Sequence, residues 1–167
     1  MAIADSLLPE FDHEMKTTRT VLARVPDDRA AWKPHTKSAS LGDLAIHVAT
    51  LNRWAVASLS DTTFDVNPKG GERWSPPTWE SRTATLAAFD EGRDEARRAI
   101  AGASDADLMV PWTLRAGDRV ILTLPRIAVL RSFVLSHLIH HRGQLSVYLR
   151  LNDIPVPPIY GPTADES

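Results

Sequence analysis

Apolar residues recur at three-four spacing in four long stretches of this 167-residue chain, and that periodicity predicts four helices. In the first, about Asp5 to Val25, the residues Leu8, Phe11, Met15, Thr18, Leu22 and Val25 form one seam, with His13 on the opposite, solvated side. Pro26-Asp27-Asp28 ends it, and Arg29 to Ser38 is irregular, with Trp32 as its anchor to the core and His35 exposed. The second helix opens at Ser40, a hydroxyl N-cap with Asp43 in the reciprocal capping-box position. It runs to about Leu59, with Leu44, Val48, Leu51 and Ala55 facing inward. The third begins at Thr78 or Trp79 and reaches about Ala101, with Arg82, Leu86, Phe89, Arg93, Ala96 and Ile100 in register and its charges on a solvated face. The fourth fills Leu124 to Leu151. Pro125 suits its first turn, and Ile127, Leu130, Val134, Leu138, Leu145 and Tyr148 fall on one stripe.

The connections carry less pattern. Ser60 to Thr78 reads as a long polar loop rich in Pro and Gly, whose Trp74 either covers the mouth of a pocket or packs on the surface. Ser104-Asp105 reads as a turn, and Leu108 to Leu122 as a small hairpin or extended excursion around Arg115-Ala116-Gly117-Asp118. After Asn152, Pro155, Pro157 and Pro158 favour an extended path. With no internal repeat and no long linker, residues 1–167 form one expected domain with a proline-rich tail from about residue 152.

Composition narrows the function. With 43% hydrophobic and 24% charged residues the chain is long enough to bury a core. A net charge of −2 and the lack of a Lys/Arg run argue against nucleic-acid binding. No apolar run reaches the length of a membrane span, and the start MAIADSLLPEFDHEM lacks a cationic segment followed by an apolar one, so the cytoplasm is the expected location. There is no cysteine. Any metal must be held by nitrogen and oxygen, and any thiol chemistry must use a thiol from outside.

The candidate chemistry lies in the fourth helix. His141 falls in the middle of its apolar stripe, His137 one turn earlier and about 40° to one side, and His140 about 100° round, at the edge. An imidazole on an apolar face carries a desolvation cost unless its nitrogens are paired. Hydrogen bonding within the core meets that need. So does sharing one divalent cation, for which i, i+4 spacing is suited. His47, beside Leu51 and Trp54 near the middle of the second helix, supplies a third imidazole that packing can bring to the same depth, and this favours the metal reading. Gln144 is placed to orient a bound water or a nitrogen behind the ligands. Arg142 reads as a structural ion-pair partner, and Gly143 as a point of close helix approach.

Ser40-Leu41-Gly42-Asp43-Leu44 followed by His47, the stretch HLIHHRGQL from His137 to Leu145, and a proline-bearing tail ending in IYGP together resemble the DinB superfamily, over nearly the whole chain. The resemblance implies an all-α, up-up-down-down four-helix bundle with a mononuclear divalent metal, frequently as a homodimer. It implies His47, His137 and His141 as the ligands, with His140 left as a neighbour. Three imidazoles without cysteine suit Zn²⁺ or Ni²⁺ and leave an open coordination position. Members of the family include transferases and isomerases that use low-molecular-weight thiols. Because no Glu or Asp is evident beside the histidines, thiol-dependent S-transfer to a small electrophilic substrate is the expected activity. The alternatives are a metal-dependent hydrolase and a non-catalytic metal-binding stress-response dimer.

Overall fold

The computed structural model describes residues 2–166. In order, the chain forms α1 (Ile3–Leu22), α2 (Leu41–Thr50), α3 (Arg53–Ser60), β1 (Thr63–Asp65), α4 (Arg82–Gly102), α5 (Asp105–Met109), β2 (Pro111–Ala116), β3 (Arg119–Pro125), α6 (Arg126–Ala128) and α7 (His137–Leu151). The stretch Val129–Ser136, which joins α6 to α7, is π-helical. The protein is therefore mostly helical, and it adds a three-stranded sheet that an all-α reading omits. No helix among the described residues is long and apolar enough to cross a membrane.

The four periodic stretches become the helical core, with instructive differences. Phe11, Met15 and Leu22 of α1, Leu44 and Val48 of α2, Phe89, Ala96 and Ile100 of α4, and Leu138, Leu145 and Leu149 of α7 share one buried cluster. Trp32 is partly buried against it, edge-on to Tyr148 at 5.5 Å. Ser40 caps α2, its hydroxyl accepting from the Asp43 backbone N–H, although Asp43 does not complete the reciprocal bond. The second stretch is two helices rather than one. At Leu51-Asn52 the turn tightens to i→i−3 bonds from Trp54 and Ala55, while the buried Asn52 amide donates to the Phe89 carbonyl of α4. Gly92 of α4 faces Asn52 so closely that a Cβ there would lie 2.4 Å from Asn52 Oδ1. Gly92, not Gly143, is thus a site of close approach. Gly143 is exposed, with nothing within 4 Å of where its Cβ would be.

Pro76 and Pro77 keep the chain extended, and α4 starts only where the Ser81 hydroxyl accepts from the Ala84 N–H, later than Thr78 or Trp79. Its buried seam is Thr85, Phe89, Gly92, Ala96 and Ile100, leaving Arg82 exposed and Arg93 paired with Asp90 at the surface. Ser104 opens a one-turn helix in a capping box with Asp107, where only a turn was expected. The hairpin around Gly117 forms, with β2 antiparallel to β3. Within the loop after α3, β1 adds to it in parallel, pairing Phe64 with Leu114.

The tail is extended, as its prolines require, and it is anchored. Val156 is buried, and the Tyr160 hydroxyl accepts from Arg142 Nη2 at 2.6 Å while it lies 3.0 and 2.9 Å from the two oxygens of Glu14. Arg142 and Glu14 form a buried ion pair at 2.7 Å, and Arg142 also donates to Thr18 Oγ1. Arg142 is thus the structural partner foreseen, but as a core group joining α7, α1 and the tail. Glu14→Gln removes the countercharge and leaves a buried guanidinium uncompensated, a loss of about 3–5 kcal/mol. Asp12→Asn, which breaks the exposed pair with Arg97, should change stability by no more than about 1 kcal/mol. Urea denaturation of the two variants checks the contrast.

Candidate metal centre

Two elements bring the three histidines together. α2, fixed at its start by Ser40, carries His47 on the flank of a face that buries Leu44, Ala45 and Val48. The last helix carries His137 and His141 one turn apart at the start of α7. Just before His137 the chain takes the wider i→i+5 turns of the π-helix, within which the Ser132 hydroxyl donates to the Ala128 carbonyl at 2.6 Å. Phe133, in that segment, lies with its ring centroid 5.6 Å from His137 and 5.3 Å from Trp54.

The imidazoles converge. Ring centroids of His47 and His141 are 4.7 Å apart, those of His137 and His141 4.7 Å, and those of His47 and His137 5.2 Å. One ring nitrogen from each lies within 4.8 Å of the other two. A cation bound at about 2.0–2.1 Å to each nitrogen would draw the donors to roughly 3.4 Å from one another, which side-chain rotation can supply. All three rings are half-buried rather than sealed in the core. His140, exposed and 4.8 Å from His141 by ring centroid, stays outside the converging set.

The protonation chemistry suits a ligand set. Burial first, then the proximity of His141 and His137, lowers the His47 pKa to about 4, which favours the neutral form. Burial and then His141 lower that of His137, opposed by the Phe133 carbonyl. Nδ1 of His137 is buried and makes no well-formed hydrogen bond among the described residues. His141 Nδ1 lies 2.7 Å from Gln144 Oε1, an oxygen that only accepts, so of the two neutral tautomers this contact favours the one with its proton on Nδ1. Gln144 Nε2 in turn lies 3.1 Å from His140 Nε2. Gln144 thus braces the ring of His141 and bridges it to His140. The residues fit a divalent cation of nitrogen preference, on donor chemistry and convergence together.

A cleft of about 170 Å³ opens beside His47, lined by Thr50, Trp54, Phe64, Trp74 and the Pro76-Pro77 segment. Trp74 thus lies at the mouth of a pocket, one of its two anticipated places. Phe64 and Phe133 were not foreseen. Phe64 sat in a stretch read as polar loop, and Phe133 fell outside the apolar stripe, although its place one turn before His137 was a usable signal. No carboxylate lines the cleft among the described residues.

Comparison with known proteins places the molecule. A family model described as the DinB superfamily matches residues 10–145. An uncharacterized protein of Bacillus subtilis strain 168, YrdA, is 27% identical over 168 residues, covering 97% of this chain and 90% of its own length. Among solved structures, a DinB-like protein of Bacillus cereus superposes with a TM-score of 0.73 at 20% identity, covering 95% of this chain and 98% of that one. The DinB-like protein YjoA of Bacillus subtilis gives 0.69 at 17% identity, covering 93% and 98%. These two share the fold.

Two outcomes follow from the geometry. His141→Ala should abolish stoichiometric Co²⁺ or Zn²⁺ binding, and Gln144→Leu should weaken it by about 10–100-fold, as read by metal titration. In the metal-free protein, His47 is neutral down to about pH 4, whereas in the unfolded chain it protonates near pH 6.5. The unfolded state therefore takes up this proton first as pH falls, and the His47 share of stability, complete above pH 6.5, is lost towards pH 4. Melting curves of wild type and His47→Gln should accordingly differ in their pH slope within that window, with the shallower slope in the variant.

Proposed function

The chain belongs to the DinB superfamily, and on that premise we propose that it is a divalent-metal-dependent enzyme transferring a low-molecular-weight thiol to a small electrophilic substrate. The observation that carries this reading is the convergence of His47, His137 and His141, with His47 also lining an apolar cleft that no carboxylate among the described residues lines. Those three residues would hold Zn²⁺ or Ni²⁺. When bound, such a cation supplies the charge that favours the thiolate over the thiol form of a small cofactor. Three protein ligands leave room for that exchangeable partner.

The chain's own residues do the rest. Gln144 holds His141 in one tautomer and orientation. Arg142, locked to Glu14 and Tyr160, fixes the helix that carries His137 and His141 against α1. Trp54, Phe64 and Trp74 give the space beside His47 an apolar lining. In the transfer a bond forms between the thiol sulfur and the electrophilic carbon, the leaving group departs with its electron pair, and the thiol proton passes to solvent. A lining with no carboxylate offers no base of the kind that activates water, which favours thiol transfer over hydrolysis. We further propose an up-up-down-down arrangement of the long helices, a cytoplasmic location and a homodimer, as the family resemblance implies.

The test is a panel of small thiols against electrophiles, with protein loaded with Zn²⁺ or Ni²⁺. Thiol consumption that needs the metal and is abolished by His137→Ala is the expected result. Silence across the panel with metal bound would overturn it in favour of the non-catalytic dimer. Turnover without thiol would replace it with hydrolysis.

A further inference from the structure

We infer that the cleft beside the three histidines is an aromatic slot for an uncharged, flat, single-ring substrate; the inference rests on the reading of that site as catalytic. Trp54 is the hub of a cluster of rings. Its centroid lies 5.0 Å from Phe64 at 74°, 5.5 Å from Trp74 at 54°, 5.3 Å from Phe133 at 81° and 6.3 Å from Trp112 at 77°. Edge-to-face packing of this kind holds Trp54 in place before any ligand arrives. His47 is itself part of the lining, and Phe133 packs its ring against both Trp54 and His137. The aromatic cluster thus touches two of the three candidate ligands.

Size and charge select the occupant. About 170 Å³ is close to the roughly 150 Å³ of an apolar cavity that accommodates benzene, so the slot admits one six-membered ring with small substituents. Trp54, Phe64, Trp74 and the two prolines offer faces and edges for a flat apolar group and few donors for a carboxylate. Arg53 is the one charged side chain in the lining among the described residues, and its Nη2 already lies 3.1 Å from Glu91 Oε2. An anion thus meets a guanidinium with a partner of its own. A cation would gain from the tryptophan faces, yet no carboxylate among the described residues lines the cleft to pair with it. The uncharged ring is left. Trp74, 41% exposed, closes one side of the slot from the proline-bearing segment, and with Trp54 it sets which rings enter.

The test reads binding on the full chain, metal-free and without thiol, so that it is independent of turnover. Calorimetric titration with benzonitrile, benzoate and benzyltrimethylammonium compares neutral, anionic and cationic rings of similar size. Benzonitrile should bind at least about tenfold more tightly than either ion. Trp74→Ala, at an exposed position and checked for unchanged circular dichroism, should weaken it by about tenfold. Phe64→Ala serves as a second probe of the opposite wall, with loss in the same direction. Equal binding of the cation, no binding of benzonitrile, or indifference to both substitutions would overturn the slot. Thiol transfer confined to aliphatic electrophiles would also overturn it while leaving the catalytic reading in place.

Discussion

The contact between α2 and the last helix is what the candidate centre depends on. It sets His47 opposite two residues that α-helical geometry already places one turn apart, so a single inter-helix register decides whether three imidazoles meet. The register has support on both sides. On α2, Leu44, Ala45, Val48 and Ala49 are buried around His47, and on α7 Leu138 and Leu145 flank the pair. Next to His141 in sequence, Arg142 reaches Glu14 of α1 and Tyr160 of the tail, so a charge-assisted anchor sits at the same level as the candidate ligands.

That arrangement concentrates uncharged nitrogen. Burial and mutual proximity disfavour the protonated form of His47 and His137, and Gln144 selects the tautomer of His141. Three half-buried imidazoles held this close together are costly as a plain core and useful as a ligand set. The aromatic rings beside them shape the remaining space. The candidate chemistry and the candidate selectivity thus come from different parts of the chain: α2 and the last helix for the first, the start of α3 and the loop-strand segment from Phe64 to Pro77 for the second.

Much of this was legible in the sequence because it was periodic. The apolar stripes give the long helices, Ser40 gives the start of α2, and the i, i+4 histidines with His47 give the converging trio. What escaped was tertiary. The break at Leu51-Asn52 depends on the Asn52 amide reaching Phe89, 37 residues away, and on Gly92 leaving room for it. The partner of β1 comes from β2, far along the chain, so a short polar-looking segment hid a strand. Gly143 looked like a packing glycine by composition, and only the fold reveals that its surroundings are open. The π-helical turns before His137 carry no distinct hydrophobic period, and they place Phe133 against both His137 and Trp54.

The most direct test of the central claim is X-ray absorption spectroscopy on the protein loaded with one equivalent of Zn²⁺. A shell of nitrogen at about 2.0–2.1 Å is expected, with outer-shell scattering from three imidazole rings that falls to two in His47→Ala. A metal shell made only of oxygen, or an imidazole count that His47→Ala leaves unchanged, would contradict it.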